Sequence, residues 1–296
     1  MRVCSFTATN NLISFYQETL ELSDLNFSLL PYDSQDSDLA RIWGVNIYLS
    51  DDSDEQSISD FIQSIATRFK LEKPSISFAE LENKDWVTEA QKDFKPLRVE
   101  NICIYSSYYQ NIVDTHDQKT IYINIDPGNA FGTGEHHTTQ ACLRAISKLS
   151  SHKFGRMLDL GCGSAVLAIA MAKIFNKPII ACDIDEDAVT VAQSNIEKNN
   201  VATLVRAITA DGIQNSLITQ NAPYELIVCN ILANVLIELA TDIHSITAKD
   251  GFIILSGLTI QQLNSVKSAY HECGFITLET IVQDEWCAIM LQKTRH

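Results

Sequence analysis

Two glycines, an aspartate and an asparagine stand where a reaction would need them. The run LDLGCGSAVLAIA sets Gly161 and Gly163 between a short strand pattern, RMLDLG, and a helical one, AVLAIAMAKIF. Glycine at such a turn lets backbone approach a ligand and take positive φ. In an open α/β sheet the ligand lies outside the carboxyl ends of the strands. The next strand pattern ends ACDID, so Asp183 follows Gly161 by 22 residues, a spacing at which a carboxylate accepts hydrogen bonds from a ribose. A later strand pattern, YELIVCNI, delivers Asn230 to the same edge. Upstream lies NIDPGNAFGTGEHHTTQACL. There Asp126-Pro127-Gly128 is turn chemistry. Gly132-Thr133-Gly134 is small enough to lie against a ligand, and Thr138 and Thr139 open a helical pattern running through Leu149.

Two cofactor classes fit a glycine turn followed by a distal acid. A dinucleotide loop reads G-x-G-x-x-G, but the third glycine position here is Val166. A dinucleotide also sets its pyrophosphate on the helix N-terminus. Asp159, two residues before Gly161, suits a cationic ligand better. S-adenosylmethionine has a sulfonium, an amino group and a ribose but no phosphate, so the pattern favours it over a nicotinamide cofactor. No metal is expected. Glu135, His136 and His137 are consecutive and adjacent residues rarely converge on one ion. The eight cysteines include no C-x-x-C pair.

The elements that must position these residues fall into two sets. The first 80 residues read strand, helix, strand, strand, helix, strand. The second helix, ISDFIQSIATRF, carries apolar residues at helical spacing, with Ser57 as its expected N-cap. That order is the ferredoxin-like one. Residues 82–95 are polar and read as a connecting helix ending before Pro96. From 156 onward strands and helices alternate, and the chain closes with FITLETIV and WCAIMLQK, spaced for an antiparallel hairpin. Alternation with buried strands means a mostly parallel, doubly wound sheet. The expected organisation is a ferredoxin-like α+β domain over 1–80, a linker helix over 81–96 and a Rossmann-like α/β domain with a terminal hairpin over 97–296.

The 296 residues carry a formal net charge of −15, which argues against a broad basic face for nucleic acid. Residues 1–95 hold 17 acids against 8 Lys/Arg, net −9, and residues 96–296 hold 20 against 14, net −6. Eight acids against Arg41 alone crowd residues 33–60, which reads either as a solvated surface or as a docking face for a basic partner. No apolar run is long enough to span a membrane. The N-terminus lacks the apolar core of a secretion signal, so the expected location is the cytosol.

The combination D-P-G-x-A-F-G-T-G-x-H-x-T-T, then D-x-G-C-G-S, then N-I-L-A resembles the bacterial ribosomal protein L11 methyltransferase (PrmA) family over about residues 81–292. The resemblance implies a small substrate-recognition domain ahead of a Rossmann-like methyltransferase domain. It implies methyl transfer from S-adenosylmethionine to lysine and N-terminal amines of that ribosomal protein. Carried over by motif, it sets Thr139, Gly161, Asp183 and Asn230 at the cofactor or the reaction crevice, with Phe131, Gly132, Thr133 and Gly163 next to them. Position 165 is Ala where the family has Gly, and 137 is His where Pro or Gly is common. The partner expected is a basic protein, with no direct contact to nucleic acid, and the enzyme is expected to be a monomer.

Methyl transfer is an in-line displacement in which the protein chiefly supplies alignment. A lysine of pKa about 10.4 costs roughly 4–5 kcal/mol to neutralise at pH 7. A nearby sulfonium and partial desolvation reduce that cost. An acidic pocket opposes it, so acidity is expected to serve docking rather than the reaction point. His136 reads either as a general base or, more simply, as a residue ordering its turn. Asn230 is expected to accept a hydrogen bond from the amine, to cap the following helix, or both.

Overall fold

The computed structural model describes residues 2–9, 12–21, 23, 25–32, 42–49, 53–80, 92, 94–115, 117–126 and 136–294. The chain divides into two compact units, residues 1–85 and 86–296. Phe131, Gly132 and Thr133, most of the expected linker helix, the acidic stretch 33–40, Asp51 and Asp52 lie outside the described residues.

In the first unit, β1 (Arg2–Thr9), β2 (Asn26–Tyr32), β3 (Ile42–Leu49) and β4 (Ser77–Glu80) form a sheet in the order β2-β3-β1-β4. Every pairing is antiparallel. The helices α1 (Ile13–Glu21) and α2 (Glu55–Arg68) complete a β-α-β-β-α-β unit, the ferredoxin-like arrangement. Period-two alternation buries Cys4, Phe6 and Ala8 of β1 and Val45, Ile47 and Leu49 of β3 against Tyr16, Leu20, Ile62 and Ile65. The intervening positions are polar, and Ser5 Oγ donates to Asn46 Oδ1 at 2.7 Å. The expectation for the N-cap of α2 is corrected: it is Asp54, not Ser57. The Asp54 carboxylate accepts from the Ser57 amide at 3.0 Å and the Ser57 hydroxyl at 2.6 Å. Both residue types cap well. The acid at the first position sits closest to the unpaired amides, so it starts the helix a turn earlier.

The second unit opens with a small sheet of β5 (Leu97–Val99), β6 (Ile102–Tyr105) and β7 (Ile121–Asn124). After α3 (His137–Lys148) come β8 (Met157–Leu160), α4 (Val166–Phe175), β9 (Ile179–Asp183), α5 (Glu186–Lys198), β10 (Val205–Thr209), α6 (Ser216–Asn221) and β11 (Tyr224–Asn230). The chain continues through α7 (Ala233–Glu238), α8 (Ala240–Ile246), β12 (Thr247–Thr259), α9 (Leu263–Glu272), β13 (Phe275–Gln283) and β14 (Trp286–Lys293). The main sheet runs β10-β9-β8-β11-β12-β14-β13, parallel until β14, which inserts antiparallel between β12 and β13.

Strand parity divides the core cleanly. Met157, Ala181, Val228 and Ile254 pack on one face, whereas Leu158, Cys182, Ile227 and Leu255 pack on the other. Both faces are apolar, as parallel strands covered by helices require. The apolar run after β11 folds as two helices meeting at Leu239, where ψ is 0°. The terminal hairpin turns on two residues, with Asp284 at φ +53° in the region that Asp tolerates. Every cysteine is unpaired, and all but Cys273 are buried.

Candidate active site

The sheet's carboxyl edge assembles the site around one clamped residue, Ile231. Gly161 follows β8 with φ +75°, and a Cβ there would lie 2.2 Å from Ile231 Cγ2. Gly257 interrupts β12 with φ +84°, and a Cβ there would lie 2.2 Å from the Ile231 carbonyl oxygen. The β12–β14 register shifts between Leu255 and Leu258, around this glycine. Sequence reasoning passed over Gly257, although a lone glycine inside a strand pattern is a signal of bulge or close approach.

The glycine turn is tied to the strand beside it. Gly161 and Cys162 amides donate to the Cys182 carbonyl at 2.8 and 2.9 Å. The Gly163 amide donates to Asp183 Oδ2 at 2.8 Å, and the Asp185 amide donates to Asp183 Oδ1 at 3.2 Å. Asp183 is therefore held at the crevice by backbone, with lone pairs left for a ligand. Ala165, where the resemblance leads to an expectation of glycine, has φ +63° and is fully buried.

Asp159 does not face the crevice, and the reading of it as a partner for a cationic ligand is corrected. It shares strand parity with Met157 and is registered against Val228 and Ala181, so it points under α4. There Oδ2 accepts from the Ala168 amide at 2.9 Å, and Oδ1 has no partner. Burial pushes its pKa up to about 7, and the nearby Asp183 adds to the rise.

Asn230 ends β11. Its Nδ2 donates to Thr139 Oγ1 at 3.3 Å, and its Oδ1 is buried with no partner. It does not cap the helix that follows, because the cap position of α7 is Leu232 and carries no side-chain bond. His136 is the N-cap of α3: its Nδ1 lies 2.7 Å from Thr138 Oγ1 and accepts from the Thr138 amide at 3.3 Å. Burial, with His137 adjacent, lowers its pKa, so the neutral ring is favoured. The turn-ordering role expected as its simpler alternative is the one this geometry supports.

These residues surround a cleft of about 600 Å³. Gly161, Gly163, Asp183 and Asn230 line it, whereas Thr139 stands behind Asn230 and leaves the wall to Thr138 and His136. The cleft adds residues that the sequence reading did not single out. Asp211 and Gly212 follow β10, Glu238 ends α7, and Trp286 begins β14. Ile184 and Leu232 also line it and are 69% and 73% exposed. The rule that ligands lie at strand carboxyl ends predicts the residues after β9 and β10. Three carboxylates (Asp183, Asp211 and Glu238) and no Lys or Arg line the wall among the described residues. The expectation that acidity serves docking rather than the reaction point is thus corrected, because the cleft is itself acidic. Among the described residues no three His, Cys, Asp or Glu side chains converge as a metal site. No helix among them is long and apolar enough to cross a membrane.

A sheet of this strand order, with a two-glycine turn and an acid ending the second strand, belongs to the Rossmann-like S-adenosylmethionine-dependent methyltransferases. The comparisons with known proteins narrow that class. The sequence profile described as "Ribosomal protein L11 methyltransferase (PrmA)" matches residues 12–294. The ribosomal protein L11 methyltransferase of Brucella suis is 40% identical over 255 residues, 85% of each chain. That of Rhizobium rhizogenes is 33% identical over 261 residues, 88% of each chain. A crystal structure of ribosomal protein L11 methylase from Lactobacillus delbrueckii subsp. bulgaricus superposes with a TM-score of 0.62 at 25% identity, covering 68% of this chain and 100% of that one. The chain belongs to the ribosomal protein L11 methyltransferase (PrmA) family.

Proposed function

We propose that the protein moves methyl groups from S-adenosylmethionine to amines of ribosomal protein L11, both lysine side chains and the N-terminal α-amine. The observation that carries this reading is Asn230 Oδ1, an amide oxygen buried without a partner in a residue lining an acidic cleft. Leaving such an acceptor unpaired costs about 1–3 kcal/mol. An amine N–H supplies the missing donor.

The residues present fit the cofactor. Asp183 would hold ribose hydroxyls, the Gly161–Gly163 turn admits close backbone approach, and the carboxylates of Asp211 and Glu238 balance positive charge. When bound, S-adenosylmethionine supplies a methyl group already activated on sulfonium. Asn230 would orient the neutral amine, its amide oxygen accepting from the amine N–H so that the nitrogen lone pair is left free to face the cofactor side of the cleft. The amine's proton passes to water. Thr139 acts one step behind, fixing the Asn230 amide through its hydroxyl.

The first unit serves as the recognition domain in this reading, and its acidic surface draws a basic ribosomal protein. The enzyme works as a cytoplasmic monomer. The decisive experiment is the intact mass of purified L11 after incubation with enzyme and S-adenosylmethionine. The expected result is a ladder of single-methyl additions, and Asn230→Ala lowers kcat about ten- to a hundredfold, or roughly 1.4–2.7 kcal/mol. An unmodified L11, with cofactor bound by calorimetry, removes the substrate assignment and leaves the fold.

A further inference from the structure

Beside the cofactor cleft lies a second cavity of about 470 Å³, walled by His136, His137, Asp284, Glu285 and Trp286. Two of these side chains, His136 and Trp286, also line the cofactor cleft. The two rings meet edge to face with centroids 4.7 Å apart. They form the partition between the two cavities.

The wall is held from several directions. His136 caps α3. Trp286 opens β14 opposite Gln283, and Gln283 Nε2 donates to Gln140 Oε1 of α3 at 2.8 Å. Ser256 Oγ lies 2.9 Å from the Cys287 carbonyl and 3.3 Å from the Thr138 carbonyl, sharing its one proton between them and bracing β14 and α3 against β12. His137 Nδ1 lies 3.0 Å from Asp284 Oδ2 across the cavity mouth. None of these groups is among those assigned to holding the cofactor.

We infer that the outer cavity is the approach for the acceptor amine, and that Trp286 is the aromatic face over which its cationic head passes into the cleft. The inference deepens the proposed methyl transfer and rests on it. An aliphatic ammonium matches each surface in turn. Asp284 and Glu285 at the mouth attract its charge, the indole face then stabilises a cation as water is stripped away, and Asn230 lies on the cleft side. The same face suits the products. Mono-, di- and trimethylammonium groups keep their charge while losing N–H donors, so a carboxylate alone would hold them progressively less well than an indole ring does.

Two measurements test this. Only three tryptophans are present, Trp43, Trp86 and Trp286, so the indole N–H signals of the full-length protein are resolvable by NMR. Titration of the S-adenosylhomocysteine-bound protein with Nε-trimethyllysine should shift the signal that Trp286→Phe removes and leave the other two in place. Unmoved Trp286 overturns the inference, independently of whether L11 is the substrate. In steady-state methylation of L11, Trp286→Leu should raise KM for L11 at least tenfold and shorten the methyl ladder, a larger change than any loss of cofactor affinity read by calorimetry. Trp286→Phe should restore most of both. Asp284→Asn with Glu285→Gln should raise KM severalfold at low salt and little at high salt. Wild-type KM and a full ladder in a folded Trp286→Leu protein overturn the inference while leaving the function intact. A wild-type enzyme that binds cofactor and leaves L11 unmodified overturns the function instead.

Discussion

In the first unit, polar side chains on the described elements answer one another. Ser5 meets Asn46, and Arg2 reaches Glu55 at 2.8 Å and the Ser53 carbonyl at 2.6 Å. Among the described residues of the second unit, five buried side-chain atoms have no partner: Arg144 Nε, Ser147 Oγ, Asp159 Oδ1, Asn230 Oδ1 and Gln283 Oε1. Two of these belong to the glycine loop's strand and to the cleft itself. Buried polar groups are nearly always satisfied, so the exception that lines the cleft, Asn230 Oδ1, marks where chemistry has outweighed stability. The first unit shows shape and charge, and the second shows unmet bonding capacity, which is why recognition is assigned to one and reaction to the other.

The strongest way to break that contrast is Gly257→Val. A branched side chain at φ +84° would collide with Ile231 backbone, and overpacking plus left-handed strain amount to about 2–5 kcal/mol. Hydrogen exchange should show protection lost in β8, β11 and β12 but kept in β1 and β3. Loss in both units would mean that they do not stand independently.

Asp159→Asn sharpens the contrast through pH. The folded-state pKa of about 7 lies above the ordinary carboxylate value, so the native state binds more protons than the unfolded chain between about pH 4 and 7. The stability of the native protein is full below the unfolded pKa and falls as pH rises towards 7. Asparagine keeps an acceptor for the Ala168 amide and removes the titration. Each tenfold difference in proton affinity between folded and unfolded chain is worth about 1.4 kcal/mol. The variant should therefore gain a few kcal/mol relative to wild type at pH 8 and nothing at pH 4. Urea melts at the two pH values check this, and equal differences at both would contradict it.

Charge reversal in the first unit is a smaller effect. Asp51→Lys with Asp52→Lys should raise KM for L11 severalfold, with cofactor affinity unchanged and the difference shrinking in salt. Asp54 is spared because its carboxylate caps α2, and reversing it would mix docking with unfolding. An unchanged KM would remove the docking role. The smallest change expected is Ala165→Gly. Relief of left-handed strain, about 1–2 kcal/mol, is largely offset by loss of a buried methyl, about 0.8 kcal/mol, and by glycine's extra freedom when unfolded. Its melting temperature should move by only a few degrees.

The regular elements were legible because each carries a period: two along β1 and β3, and helical spacing through Ile58, Phe61, Ile62 and Ile65. The glycine turn and Asp183 were legible because backbone conformation and ribose recognition each demand few residue types. What escaped notice depended on parity and distance. Asp159 looks like a ligand in a linear motif and turns away because strand position decides its face. Gly257, Asp211 and Trp286 come from three separate strands, and only the sheet brings them to one cleft. The six-residue α6 is too short to show a period, and the break at Leu239 leaves the surrounding hydrophobic pattern intact.

Ile231 lies between two backbones with no room for a methyl group on either side. Gly161 and Gly257 are almost a hundred positions apart in the chain, yet each is the mould in which the other's neighbour was cast. A lineage cannot enlarge one without displacing the residue next to Asn230. Any side chain added at either glycine therefore has to be accommodated by a shift of Ile231, and with it of the amide at the cleft.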